Sequence, residues 1–313
     1  WLESVTDLMY VAFQRSNFQQ EIFETYHDLC SFGTAAMFIE EDSTDIIRFS
    51  ARHIKEIYIS ENSKNLVDCI YRRFKISAKA AVEKFGLENL SKELQNINKN
   101  SPFDEVELVH VVKPRDVYNP KKIDKKNMPF TSIYFEMESG HIISIGGFKE
   151  FPYVVPRYLK ASNEIYGRSP GMNCLPDVKV LQKMCEVGLK AAQKQVDPPL
   201  LVPDDAMFLP IRTAPGSLNY YRAGSRDRIE ALNIGANNPL GLAMEDQRRK
   251  AISQTFHVDQ LLITENRNMT ATEVAQRAEE KMRILGPTLG RLQVELLNPT
   301  VIRVFNIMLR NNL

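Results

Sequence analysis

Hydrophobic residues in the first 29 positions recur every three or four. Val5, Leu8, Met9, Ala12, Phe13, Ile22, Phe23 and Leu29 alternate with polar residues at that spacing. The pattern predicts one amphipathic helix over 1–29, buried along a single stripe. From Gly33 the period shortens. TAAMFIEE, DIIRFSA, IKEIYIS and LVDCIYRRFKIS are β-branched or aromatic runs between polar turns, which predicts antiparallel strands. SAKAAVEKFG opens on a capping Ser77 and closes on Gly86, so a compact helix is expected there. A second short helix is expected in ENLSKELQNI. Strand-like runs return in EVELVHVVKP, TSIYFEME, HIISIGGF and FPYVVPRY, and KKIDKK (121–126) is expected as a solvated loop between strands.

After Pro176 the pattern turns helical. Leu175, Val178, Leu181, Met184, Cys185 and Leu189 make a stripe, with Pro176 and Asp177 suited to a first turn. Gly188 falls inside this helix at modest cost, and the prolines of VDPPLLVPDD end it. To about Gly235 the chain is punctuated by Pro and Gly, which predicts a small β-rich excursion between helices. A markedly polar helix is expected over about 240–260, with Arg248, Arg249 and Lys250 in its middle. LLITENRNM then separates it from a firm helix start, where Thr270 and Glu273 have capping-box spacing. That helix is expected to stop at Gly286-Pro287, with further helix over 289–297 and another from Asn298-Pro299 to near Arg310. The expected fold class is α+β: a mixed helix and β part, then helices interrupted by a small β-rich insertion.

Composition changes this picture little. The 313 residues are 43% hydrophobic and 25% charged, as in an ordinary globular chain. A net charge of +1 means that any basic function comes from local placement rather than bulk charge. The 4 cysteines, Cys30, Cys69, Cys174 and Cys185, are scattered without a C-x-x-C pair, which suits reduced thiols rather than a disulfide framework. No apolar run approaches the roughly 20 residues of a membrane helix, so no membrane partner is expected. The chain opens on Trp1 rather than an initiator Met and is expected to be the core of a longer protein.

One motif raises a question of chemistry. Gly167-Arg168-Ser169-Pro170-Gly171 reads as G-x-S-x-G, the nucleophile elbow of serine hydrolases. In that elbow the residue after the serine lends its N–H to the oxyanion hole, and here it is Pro170, which has none. The loop also lacks the spacing of dinucleotide and P-loop motifs. The histidines His27, His53, His110, His141 and His257 are dispersed, without metal-ligand spacing. No catalytic residue, metal or cofactor is therefore called.

YGRSPGMNCLPDVKVLQKM, then DPPLLVPDD, then NMTATEVAQRAEEKMRILGPTLGRLQVELLNP follow one another over 156–313. These strings, in this order, resemble the portal family of short-tailed bacteriophages, also called head-to-tail connector or joining proteins. Residues 1–155 are compatible with a portal wing without distinctive strings. The resemblance implies a portal-type fold with wing 1–175, first stem helix 176–196, clip 197–235, second stem helix 236–260, tunnel loop 261–269 and a helical return over 270–313. It implies a ring homo-oligomer, usually of twelve, at one capsid vertex in the virion, assembled in the host bacterial cytoplasm. Its partners would be double-stranded DNA held without regard to sequence, the large terminase subunit, the tail adaptor and capsid or scaffold proteins. A bacterial source would make it a prophage gene.

Under that resemblance Asn266, Arg267 and Asn268 are candidates for the DNA-facing loop. Arg248, Arg249 and Lys250 either line the channel or make ion pairs between subunits. Asp204, Asp205, Tyr220, Tyr221 and Arg222 are candidates for the terminase-facing clip, tyrosine and arginine being interface-prone types. Gly167, Pro170 and Gly171 would fix the bend into the stem. Two other readings make different demands. An enzyme with a pocket between the β-rich part and the helices needs convergent polar groups with perturbed pKa values. A monomeric module of a nucleic-acid machine needs a basic patch on one exposed face.

Overall fold

The computed structural model describes residues 1–42, 45–119, 124–197, 200–201, 230–231, 239–258, 283 and 285–311. The fold is α+β, in two compact units. Unit 1 is Trp1–Asn173 with Thr264–Leu313; unit 2 is Cys174–Ile263, a single excursion of the chain.

Unit 1 begins with two helices, α1 (Leu2–Arg15) and α2 (Phe18–Phe32), where the apolar spacing predicts one. The break has a long-range cause. The Asn17 side chain donates to Phe49 O (2.8 Å) and accepts from Phe49 N (3.0 Å). Ser16 Oγ meanwhile bonds back to Phe13 O at 2.9 Å, and the helix ends there. Strands β1 (Ala36–Asp42) and β2 (Ile46–Arg52) follow and pair antiparallel, and β8 (Tyr153–Val154) joins the other side of β1. Of the predicted strand FPYVVPRY only those two residues are strand, because Pro152 and Pro156 have no ladder donor to give.

A five-stranded antiparallel sheet has the order β3-β4-β5-β6-β7. Its strands are β3 (Ile57–Glu61), β4 (Val67–Ser77), β5 (Glu105–Pro114), β6 (Phe130–Glu136) and β7 (Ile142–Phe148). Helices α3 (Ala78–Phe85) and α4 (Lys92–Asn100) connect β4 to β5. Ser77 Oγ caps α3 by accepting from Ala80 N, and Gly86 (φ 82°) ends it, as the sequence predicts. Of the KKIDKK stretch, 121–123 lie outside the described residues and Lys125 opens a short 3-10 turn.

Strand β1 is buried on both faces, which explains its continuous apolar run. Met37 and Ile39 pack with Ala12, Phe49 and the C-terminal helix residues Val304, Ile307 and Met308. Ala36 and Phe38 pack with Ile57, Ile59, Ile70 and Val112 of the larger sheet. A third cluster seats Ala78, Ala81 and Leu94 of the two short helices on Phe74, Leu108 and Ile143.

Two sheet edges are closed by side chains. On β2, Ala51 N donates to Glu21 Oε2 at 2.5 Å, beside the Asn17–Phe49 pair. On β3, the Tyr166 hydroxyl accepts from Ile59 N (3.2 Å) and donates to Ile57 O (3.4 Å).

The chain's end departs from expectation. Residues 285–292 are helical through Gly286 and Pro287, where a stop is predicted. A π turn, Gln293–Leu297, then runs straight into α7 (Asn298–Arg310). Pro299 has no N–H to return to the preceding turn, and a π turn is a common local answer to such a gap.

Between β5 and its neighbours sits His110, 1% exposed, with its ring nitrogens 3.0 Å from Tyr153 Oη and 2.9 Å from Ser132 Oγ. Its ring stacks on Tyr134 at 3.9 Å. Burial, reinforced by the charges of Lys84, Arg72 and Arg52, holds its pKa well below the ordinary 6.5. The native protein therefore keeps it neutral while the unfolded chain protonates below about pH 6.5. Stability should be insensitive to this group above that pH. Below it, stability should fall by up to about 1.4 kcal/mol per pH unit. Urea midpoints between pH 7.5 and 5 check this, with His110→Gln expected to flatten the decline.

Unit 2 contains α5 (Pro170–Val196) from Cys174 onward, a short antiparallel pair of β9 (Leu200–Leu201) and β10 (Glu230–Ala231), and α6 (Pro239–Thr255). Helix α5 begins at Pro170 rather than after Pro176, so Pro176 lies inside it. α6 stops at Thr255, short of the predicted 260, and His257 adopts a left-handed φ of 56° just beyond.

Candidate functional site

The sequence GRSPG is a joint in unit 1, built by close backbone packing. Gly33 ends α2 in the left-handed conformation (φ 77°), its N–H returning to Leu29 O at 3.0 Å. Gly167 lies directly against it, so a Cβ at Gly167 would collide with Gly33 O and come to 3.0 Å from Arg157 Cβ. Gly167 N donates to Thr34 Oγ1 at 2.7 Å, and Tyr158 N to Gly33 O at 2.9 Å.

Ser169 is fully buried and its hydroxyl is fully used. It donates to Ser31 O and accepts from Met172 N, both at 2.8 Å. It thus serves as the N-cap of α5, with Pro170 at the first helical position, where its missing N–H is not needed. Gly171 follows, and a Cβ there would lie 2.9 Å from Cys30 O. The serine of the hydrolase-like motif caps a helix.

Arg157 fixes the same region from within. It is 1% exposed and binds Glu295 three ways: from its backbone N (3.0 Å), Nε (3.1 Å) and Nη2 (2.6 Å). Its other donors reach Glu61, Ile165 O (3.1 Å) and Asn65 O (3.1 Å). Burial alone would raise the pKa of Glu61, but hydrogen bonds from Lys160 and Arg157 hold it below the usual carboxylate range. Glu295 sits on the π turn, so that irregular turn aims its carboxylate at Arg157.

In unit 2 the polar helix α6 meets α5 through charges. Arg248 Nη1 donates to Asp177 Oδ1 at 2.8 Å. Arg249 binds Glu245 and Asp246, each at 3.0 Å, while Cys185 Sγ and Glu245 Oε2 are 3.9 Å apart. A Cβ at Gly188 would lie 3.7 Å from Glu245 Oε1, an ordinary contact, so the two helices do not require a glycine there. Lys250 is exposed.

Of the residues singled out from sequence, Gly167, Pro170 and Gly171 lie together in the joint, and Arg248 and Arg249 are engaged with carboxylates of their own chain. Asn266, Arg267, Asn268, Asp204, Asp205, Tyr220, Tyr221 and Arg222 lie outside the described residues, as does the Thr270 capping box. Sequence reading missed Arg157, Glu61 and Glu295, which carry no local signal. Gly33 was findable: a glycine just past a helical stripe marks a C-terminal cap.

A groove of about 420 Å³ in unit 1, between α2 and the end of β2, is lined by Glu24, His27, Asp28, Arg52, His53 and Arg72 among others. Burial raises the pKa of Asp28 against the opposing charges of His53 and His27. The lining holds no serine, threonine or cysteine nucleophile, and Arg72 is paired to Glu56 at 2.9 Å.

Comparison with known proteins bears on the family rather than on individual residues. The model of the bacteriophage head to tail connecting protein family matches residues 1–313. A portal protein of Salmonella phage epsilon15 is 33% identical over 322 aligned positions, covering 100% of this chain and 58% of the relative. A probable portal protein of Bordetella phage BPP-1 is 31% identical, with the same coverage. The portal protein of Enterobacteria phage T3 is 24% identical over 58% of this chain. The chain thus spans 58% of the length of the first two relatives.

Proposed function

Because the chain belongs to the bacteriophage head to tail connecting protein family, we propose that it is the core of a portal subunit. Copies of it form a ring at one capsid vertex, through which double-stranded DNA is packaged and later ejected. The observation that carries this is the family match over the whole chain, joined to identity above 30% across this whole chain with two phage portal relatives.

The chain's organisation supports it. Unit 2 leaves unit 1 once and returns once, as a stem and clip inserted in a wing must. In this reading α5 is the first stem helix, 197–235 the clip, α6 the second stem helix, 261–269 the tunnel loop, and the residues from 270 the return into the wing. Gly167, Pro170 and Gly171 set the angle at which the stem departs. Asn266, Arg267 and Asn268 touch DNA in passing, and Asp204, Asp205, Tyr220, Tyr221 and Arg222 face the terminase and then the tail adaptor. The ring has twelve copies, sits in the virion with capsid and scaffold partners, and is assembled in the bacterial cytoplasm. In this reading the part it plays is structural, and Ser169, the residue with a hydrolase-like context, spends its hydroxyl on helix α5.

Native mass measurement with negative-stain imaging of the protein extended to the length of its relatives tests this. Rings with a central hole wide enough for duplex DNA are expected. A clean monomer at micromolar concentration would overturn the reading.

A further inference from the structure

We infer that the lysine face of α5 is the surface that meets the DNA backbone, with Lys179, Lys183, Lys190 and Lys194 as its phosphate-binding groups. The inference rests on the portal reading and assigns the side of the stem that faces the channel.

The geometry comes from α5 itself. At 3.6 residues per turn the four lysines fall within about 60° of arc and run about 22 Å along the helix axis. All four are exposed. Only Glu186 interrupts the row, bonded to Lys183 (2.8 Å) and Lys190 (2.6 Å), so four positive charges face one negative. The opposite side of α5 is taken by α6, through Asp177 to Arg248 and Cys185 to Glu245, with Gly188 also facing Glu245. The row therefore points away from α6.

The flanks are apolar. About 60° to one side of the lysines lie Val180 and Val187, and about 120° to the other lie Val178 and Leu189. All four are exposed, Leu189 by 67%. A helix with apolar flanks on both sides suits a neighbouring copy on each, as head-to-tail ring packing requires. Its two remaining directions are then the α6 side and the lysine side. The arginines Arg248 and Arg249 of α6 are bonded to carboxylates of their own chain, which leaves exposed Lys250 on α6 against four lysines on α5, so the longer row of positive charge is on α5. A polyanion is drawn to that side.

The chemistry suits a duplex that must move. Lysine ammoniums are point charges on flexible stems and lack the bidentate fork with which arginine fixes a phosphate. Repeated around a ring axis, the row gives tiers of positive charge that attract any sequence equally. Such pairing releases counterions, and each neutralised phosphate adds about 0.9 to the slope of log K against log salt concentration.

The test uses full-length rings and a blunt-ended linear duplex long enough to cross them, with DNA binding titrated across a salt series. A variant with Lys179, Lys183, Lys190 and Lys194 all changed to Gln is compared with one carrying Gln at Lys55, Lys64, Lys99 and Lys149, exposed lysines of unit 1. Native mass first confirms that both still form rings. A failure of the parent protein to form rings counts against the portal reading, not against the lysine face. The expected result is a salt slope lower by about 0.9 for each phosphate no longer neutralised, with weaker binding, in the α5 variant alone. An unchanged slope in the α5 variant, or an equal fall in the unit 1 variant, would overturn the assignment. If the α5 variant no longer forms rings, single Lys190→Gln and Lys194→Gln changes replace it, judged by the same slope.

Discussion

Replacing Arg157 with methionine is expected to destabilise unit 1 by about 3–5 kcal/mol, the usual cost of stranding a buried charge. The substitution keeps an unbranched apolar stem of similar length, so the surrounding packing is largely kept. What remains, among the described residues, is Glu295, 9% exposed at its side chain, facing Arg291 at 3.4 Å, and Glu61 with Lys160. Three elements far apart in the chain lose their common tie: the β3–β4 turn, the segment leading to α5, and the π turn. The double change Arg157→Met with Glu295→Gln should recover part of the loss, because it removes one orphaned carboxylate along with its partner. Urea unfolding gives the total, and amide hydrogen exchange should show the added opening in α7 before β4. An Arg157→Met protein as stable as the parent would mean that the network contributes no net stability.

The second large effect is at Gly167. Gly167→Ala is expected to cost at least about 3 kcal/mol, the upper range for overpacking, because the atom it meets is a backbone carbonyl that cannot rotate away. Gly33→Ala should be as costly. Its Cβ would come within 2.5 Å of the Arg168 carbonyl carbon, and its φ of 77° adds left-handed strain of about 1–2 kcal/mol. Gly140 provides the contrast. It too has positive φ (66°), but nothing lies within 4 Å of its added Cβ, so Gly140→Ala should cost only the strain of about 1–2 kcal/mol. Equal losses at Gly33 and Gly140 would show that backbone conformation, rather than the close approach, accounts for the cost at Gly33. Under the proposed ring assembly, Gly167→Ala should also lower the yield of closed particles.

How legible these features are in the sequence depends on how local their causes are. β5 occupies the predicted run EVELVHVVKP from end to end, and α3 starts and stops at the Ser77 and Gly86 that mark it. Each of those signals lies within a few residues of the structure it specifies. The break between α1 and α2 is set by Phe49, 32 positions away from Asn17, so the apolar spacing runs straight through it. Arg157 and Glu295 are separated by 138 positions, and nothing near either announces a buried ion pair. At α5 the stripe after Pro176 is real, but the cap is Ser169, whose role shows only when Met172 N is seen to donate to it. Gly286-Pro287 illustrates the opposite error: residues that usually stop a helix are tolerated inside one. In the candidate site, the glycines were visible and the charged partners were not.

The sealed edges of β2 and β3 bear on how copies of this chain can meet. An open strand edge offers a template that any extended segment can copy, and growth on such a template has no natural end. Here Asn17 and Glu21 occupy Phe49 N, Phe49 O and Ala51 N on the β2 edge, and Tyr166 occupies Ile57 O and Ile59 N on the β3 edge. Molecules crowded together during assembly are therefore refused at both places by their own side chains. In the proposed ring, copies would instead recognise one another by shaped surfaces that fit at one angle. Such a contact closes into a ring where that angle divides the full circle evenly, and winds into an open helix where it does not.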